Sequence, residues 1–196
     1  MGNFLKPKYK ALNPLIIGIP RGGIAVGHYV AGILEAESSF VVSKKLPLPG
    51  REETGFGAVS ENSEIYVSAF GRTMLDQEVI EDIIEKQLIE VQRRVELYRG
   101  SSPFPQMKDR TVILTDDGIA MGVTLVPVIR LCRRKRAGRI IVAAPVSGSN
   151  YDIHLKEADA IEVLLQPDNF YGVGQVYEQF GDFTDEEVLA LINKVR

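Results

Sequence analysis

The stretch Val112-Ile113-Leu114-Thr115-Asp116-Asp117-Gly118-Ile119-Ala120-Met121-Gly122-Val123-Thr124 decides how this chain is read. Its first residues are β-formers in an unbroken apolar run, which predicts a buried strand. The run ends in two adjacent carboxylates, and a loop of small residues leads toward a helix. Gly118 and Gly122 let the backbone turn tightly and approach a bound group. Thr124 stands where it can cap the helix that follows. Backbone N–H groups at a helix start, in a glycine-containing loop, form a cradle for phosphate. Ionised Asp116 and Asp117 only accept hydrogen bonds. Two such carboxylates beside a phosphate cradle suit a polyol phosphate: the loop takes the phosphate and the acids take hydroxyls. A strand followed by an ordinary Asp-Asp-Gly turn has the same pattern without a ligand, because Asp favours turn starts and Gly tolerates positive φ.

Two segments upstream bear on that choice. Residues 14–19 read as a strand, Pro20-Arg21-Gly22-Gly23 as a turn, and 24–34 as a helix with Ile24, Val30, Ile33 and Leu34 on one face. Arg21 falls at the carboxyl end of the strand, the edge where open parallel sheets bind ligands. Gly22 and Gly23 permit close backbone approach, and Arg21 offers a planar fork to phosphate oxygens. No Gly-x-Gly-x-x-Gly and no P-loop ending occurs there. Next, 40–43 read as a short strand ending in Lys44 and Lys45, two charges suited to a diphosphate. A Pro- and Gly-rich loop follows from Pro47 to about Gly57, with the composition of a mobile lid. A solvated glycine turn and plain surface lysines are the bland readings of these segments.

Here the sequence resembles a known family. The 112–124 segment is similar to the phosphoribosyl-pyrophosphate signature of type I phosphoribosyltransferases, and Pro-Arg-Gly-Gly resembles the pyrophosphate loop of a subgroup whose acceptors are poorly defined. Lys45, Leu46, Pro49, Gly50, Glu53, Gly57, Ala58 and Val59 match the subgroup's lid. Pro167, Phe170, Gly172, Val173, Gly174, Tyr177 and Phe180 match its tail. The amino-terminal helix usual in the family is shortened here. A phosphorelay receiver also carries clustered Asp, but near its first strand, whereas this pair lies past the middle of the chain.

The resemblance implies a site, residue by residue. Asp116 and Asp117 would hold the ribose hydroxyls of phosphoribosyl pyrophosphate (PRPP) and reach Mg²⁺ through water. Gly118, Ile119, Ala120, Met121, Gly122, Val123 and Thr124 would bind the 5′-phosphate. Arg21, Gly22, Gly23, Lys44 and Lys45 would bind pyrophosphate, with Arg21 and Lys45 catalytic. Phe170 and Tyr171 would flank the acceptor. Four positions depart from the pattern: Met121 replaces a Thr or Ser, Ala120 stands where purine-salvage members carry Asp, Lys44 replaces Arg, and Pro47 replaces Gly.

The rest of the chain alternates. A β-pair is predicted at 57–60 and 64–69, a helix at 74–98, a helix at 124–137 after the signature strand, and a strand at 139–144. A short helix at 150–158, a strand at 161–165 and a last helix opened by the capping box Thr184-Asp-Glu-Glu187 follow. Such alternation implies an α/β fold: a Rossmann-like open sheet, mainly parallel, of about five strands flanked by helices. One domain over 1–196 is expected, with a core at 14–145, a lid and β-pair at 46–70, and a hood with the acceptor region at 146–196.

With 196 residues, 45% hydrophobic, the chain has enough apolar material for one good core. The single cysteine, Cys132, excludes an internal disulfide and fits an apolar helix face. No run is apolar enough to span a membrane, and no signal peptide opens the sequence. A cytoplasmic location is expected. The basic cluster Arg130, Arg133, Arg134, Lys135, Arg136 and Arg139 ends a helix, where cations meet the negative end of the dipole. Nucleic acid is therefore not the expected partner. His28 and His154 read as structural.

The function expected is transfer of a 5-phosphoribosyl group from PRPP, with Mg²⁺, to an unidentified base or other acceptor, by a homodimer. A PRPP- or nucleotide-binding regulator, with the basic cluster turned to RNA, is the second reading, and hydrolysis with water as acceptor a third.

Overall fold

The computed structural model describes residues 1–181 and 183–194. In chain order its strands are β1 (Leu15–Gly18), β2 (Glu37–Phe40), β3 (Ser43–Leu48), β4 (Arg51–Ser60), β5 (Glu64–Val67), β6 (Thr111–Thr115), β7 (Arg139–Val146) and β8 (Ala160–Leu165). The helices are α1 (Gly2–Tyr9), α2 (Gly22–Leu34), α3 (Ala69–Met74), α4 (Gln77–Arg99), α5 (Leu125–Arg134) and α6 (Asp185–Asn193).

Five strands form a parallel sheet in the order β2-β1-β6-β7-β8. The expected α/β class and strand number are those observed. The inner strands are buried on both faces, which is why their sequences read as continuous apolar runs. Leu15, Ile17, Val112, Leu114, Ile140 and Val142 turn one way, into a core shared with α5. Ile16, Ile113 and Ile141 turn the other way and pack with Leu5 of α1 and with Val30 and Leu34 of α2. Pro127 sits in the first turn of α5, where a proline costs no helix hydrogen bond.

A second sheet, β3-β4-β5, is antiparallel and lies between α4 and α5. It corrects the sequence reading at several points. The strand expected at 40–43 is two strands: β2 ends at Phe40 in the parallel sheet, and β3 starts at Ser43 in the second. The expected loop from Pro47 to Gly57 is instead a β-hairpin, with its register shifted on both sides of Pro47. Pairing with β4 and burial of Leu46 in a cluster shared with Ile80 and Val91 of α4 hold this segment extended despite its prolines. The long helix begins at Gln77, after the separate short α3, and α5 ends at Arg134 rather than 137. The segment expected as a helix at 150–158 is a 3₁₀ turn at Ile153–Glu157.

A buried ion pair ties the two sheets together. Arg99, at the end of α4, donates to both Glu61 carboxylate oxygens at 2.7 and 3.0 Å and to the Phe40 carbonyl at 2.9 Å. Glu61 also accepts from the Val42 N–H at 2.8 Å. The capping box at Thr184 and Glu187 is present in full, and α6 packs against α2 and α4. Within the basic cluster, Arg130 pairs with Glu157 at 2.7 Å and Arg133 with Asp159 at 2.8 Å, and Arg134 contacts Glu64. Cys132 is fully buried, and burial pushes its thiol up to about 12. Among the described residues no helix is long and apolar enough to cross a membrane.

Candidate active site

The site forms where β1 and β6, adjacent and parallel, end side by side. Beyond β1 the chain passes through a cis Pro20–Arg21 peptide and starts α2 at Gly22. Beyond β6 it runs into Asp116 and Asp117. The two ends approach so closely that only glycine fits between them. A Cβ on Gly22 would stand 2.0 Å from the Asp117 Oδ2, and one on Gly23 would stand 2.3 Å from the Thr115 carbonyl. Buried Thr115 completes the junction by donating its hydroxyl to the Gly23 carbonyl at 3.0 Å.

Asp116 accepts the Asp117 N–H at 3.0 Å. Burial, and then the charge of Asp117, hold the Asp116 carboxyl well above the usual aspartate range. Arg21, Gly22, Asp116, Asp117 and Thr124 line one small cavity of about 180 Å³, so two of the expected segments converge on it.

The loop after the acidic pair is pinned to the end of β7. The Ile119 N–H donates to the Val146 carbonyl at 2.9 Å, and the Met121 carbonyl accepts from the Asp152 N–H at 2.9 Å. Ile119 is wholly buried, so its side chain belongs to the core and its N–H is already committed. Ala120 and Met121 are exposed at the turn. Gly122 has φ +74, the left-handed conformation for which glycine is suited. Val123 is buried. Thr124 does not cap α5 with its side chain; its carbonyl instead accepts the Ser43 hydroxyl at 2.8 Å.

Lys44 and Lys45 fall inside β3 rather than at a strand end, and successive strand residues face opposite ways. Lys45 reaches across the hairpin to Glu53, at 3.0 Å from its carboxylate. Lys44 turns toward α4. Burial, then the charges of Arg94, Arg21 and Lys45, hold its ammonium below the ordinary lysine range, against the pull of Glu90. Neither lysine lines the cavity that holds Arg21 and the acidic pair.

A strap from the tail covers the acidic pair. The Tyr177 hydroxyl donates to the Asp117 carbonyl at 2.6 Å, and burial followed by the Asp117 and Asp116 charges push its pKa up to about 12. Gly181 and Phe183 close one wall of the cavity. Beside it opens a cleft of about 830 Å³ that begins at Gly22 and Asp117 and is walled by Tyr29, Tyr177, Phe180 and Phe183, with Glu178 and Glu187 at its edge. Phe170 and Tyr171 lie outside both spaces: Tyr171 is 90% exposed, and Phe170 packs over Gly148. Tyr29 and Phe183 carried no signal in the sequence, because neither an exposed helix tyrosine nor an irregular tail has a period that ties it to a strand end; Tyr177 stood out only as part of the tail resemblance, with no role attached.

Comparison with known proteins agrees with this architecture. The profile of the phosphoribosyl transferase domain family matches residues 4–180, and the chain belongs to that family. A Mycobacterium tuberculosis protein named "Putative phosphoribosyl transferase Rv0571c" is 32% identical over 183 residues, covering 92% of this chain and 41% of that protein. The chain therefore spans about two fifths of the length of the curated relatives it matches. The crystal structure of TT1426 from Thermus thermophilus superposes with a TM-score of 0.80 at 32% identity, covering 98% of this chain and 92% of that one.

Proposed function

We propose that the protein transfers a 5-phosphoribosyl group from PRPP to an acceptor that enters the aromatic cleft. The observation that carries this reading is the Gly22–Asp117 contact, which sets a turn bearing Arg21 against a carboxylate pair in one cavity. In the proposed complex Asp117, and Asp116 behind it, accept hydrogen bonds from the ribose hydroxyls. The turn from Met121 to Thr124 receives the 5′-phosphate. Arg21 holds the diphosphate, and Lys44 adds positive charge nearby. A bound anion would relieve the like-charge crowding around Lys44. As the bond from the anomeric carbon to diphosphate breaks, a bond from that carbon to the acceptor nucleophile forms, and the acceptor gives up its proton. Cations fixed beside the departing oxygens act where charge develops.

Among the described residues no three His, Cys, Asp or Glu side chains gather into a metal cage. Mg²⁺ seldom needs one, since it keeps waters and takes one or two carboxylates together with substrate phosphates. Asp116 and Asp117 offer that donor set, and a Mg²⁺ ion held there would neutralise charge on the diphosphate.

The acceptor reading moves from Phe170 and Tyr171 to Tyr29, Phe180 and Phe183, whose rings wall the cleft beside Asp117. Rings of this kind suit stacking on a planar acceptor.

Calorimetric titration with PRPP, with and without Mg²⁺, tests the donor site. Saturable Mg²⁺-dependent binding that falls at least tenfold (about 1.4 kcal/mol) in Asp117→Asn is expected, and unchanged affinity in that variant removes Asp117 from the site. With an acceptor in hand, Phe180→Ala should raise its KM and leave PRPP affinity alone.

A further inference from the structure

A second enclosed space lies beyond the edge of the parallel sheet, away from the acidic pair. It measures about 190 Å³ and is bounded by α2, β2, the turn after α4 and α6. For scale, an apolar cavity of roughly 150 Å³ holds a benzene-sized ring. Its apolar walls are Ile24, Phe40, Leu191 and Ile192, and its polar lining comes from His28, Ser38, Ser39, Arg99 and Ser102.

Three features define what it would take. First, β2 is an edge strand, so every second residue turns its backbone away from the sheet. The Val41 N–H bonds back to the Gly18 carbonyl at 3.3 Å, while the Phe40 carbonyl faces outward to Arg99 at 2.9 Å. Ser38, two residues before Phe40, therefore turns both its N–H and its C=O outward, a donor and an acceptor side by side. Second, the buried Nδ1 of His28 has no hydrogen-bond partner. It donates or accepts according to tautomer, and a buried polar atom left this way is costly. Third, the cavity carries no uncompensated charge: the Arg99 guanidinium is matched by both Glu61 oxygens.

We propose that this cavity is a second ligand site, for a neutral planar heterocycle with an amide-like edge. The edge would pair with the N–H and C=O of Ser38, a turn of the His28 ring would bring its orphan nitrogen to a further ring atom, and the ring faces would lie against Phe40 and Ile192. The site shares α2 with the proposed donor site, since Gly22 starts that helix at Asp117 and Ile24 and His28 wall the cavity. It does not depend on the transferase reading.

The test is ¹⁹F NMR titration of 5-fluorouracil with the full chain, in the absence of PRPP and Mg²⁺. Two variants address the cavity. Ser38→Pro removes an outward N–H, a change that edge strands tolerate, and His28→Leu removes the orphan nitrogen; each is used only if its thermal melt matches the parent. Phe180→Ala addresses the aromatic cleft. Saturable one-to-one binding is expected, weakened at least tenfold in a folded cavity variant and unchanged in Phe180→Ala. Three results overturn the proposal: no saturable binding at millimolar probe, full affinity in every folded cavity variant, or loss of binding in Phe180→Ala, which would put the probe in the acceptor cleft.

Discussion

Gly22 and Gly23 are neighbours, yet an added methyl group at each meets a different obstacle. At Gly22 the obstacle is the whole Asp117 side chain, with its Oδ2 at 2.0 Å and its Cβ at 2.9 Å from the added carbon. Gly22→Ala should therefore weaken PRPP binding at least tenfold, because the displaced carboxylate is the one assigned to the ribose, and should lower the melting temperature less than Gly23→Ala. At Gly23 the obstacle is the Thr115 backbone, which cannot move alone. Gly23→Ala should cost about 1–3 kcal/mol of stability, the usual range for overpacking, as read by urea unfolding. Met121 gives a third comparison. It is 44% exposed in the proposed phosphate turn, where a hydroxyl is usual in the resembled family. A hydrogen bond to a charged group contributes about 1.5–3 kcal/mol, so Met121→Thr should tighten PRPP binding by tenfold or more in the same calorimetric titration. At this scale the place of the acidic pair at a strand end was legible from the sequence, because an unbroken apolar run that closes on two carboxylates marks where the strand stops. Phe183 was not, since it reaches the cavity through an irregular stretch of the tail, and the contact of Tyr177 with the pair was not, since its resemblance carried no role.

The hairpin β3–β4 shows where local signals mislead. Pro47, Pro49 and Gly50 argue for a loop when read by themselves. The pairing partners lie across a tight turn, and the burial that stabilises them comes from α4, far along the chain. The same locality hid the alternation of Lys44 and Lys45, since a strand separates neighbours onto two faces and a loop does not. By contrast, α4 was legible from its apolar spacing, and only its start differs. That helix carries a pH signature. Hydrogen bonds from Arg93, partly offset by burial, and then from Arg94, hold Glu90 down to about 2 from its ordinary 4.5. A depressed carboxylate stabilises the fold above its unfolded value and loses that contribution as pH falls toward the folded one. Stability should therefore decline between about pH 4.5 and 2, and Glu90→Gln should flatten that part of the curve. Because the group is partly solvated, the neutral-pH difference should stay within ~1 kcal/mol. Urea midpoints measured at several pH values check both statements.

Across the whole molecule, the parallel sheet and its order of elements followed from strand–helix alternation, which needs only local patterns. The second sheet's position between α4 and α5 did not, because it is fixed by contacts distant in sequence. The Arg99–Glu61 pair joins the two sheets at such a contact. Removing one partner leaves the other charge buried, a loss of about 3–5 kcal/mol. Arg99→Met should lower stability by that amount in urea unfolding, and the double variant Arg99→Met with Glu61→Leu should recover much of it. The meeting of Gly22 with Asp117 is another long-range contact, made by two segments that adjoin where the paired strands β1 and β6 end side by side. Neither half of the sheet carries the pocket alone. Ligand capture thus serves as a gauge of cooperative folding: during chemical unfolding, the loss of PRPP uptake should coincide with the collapse of the circular-dichroism signal, with no span of denaturant in which an ordered chain has lost its affinity.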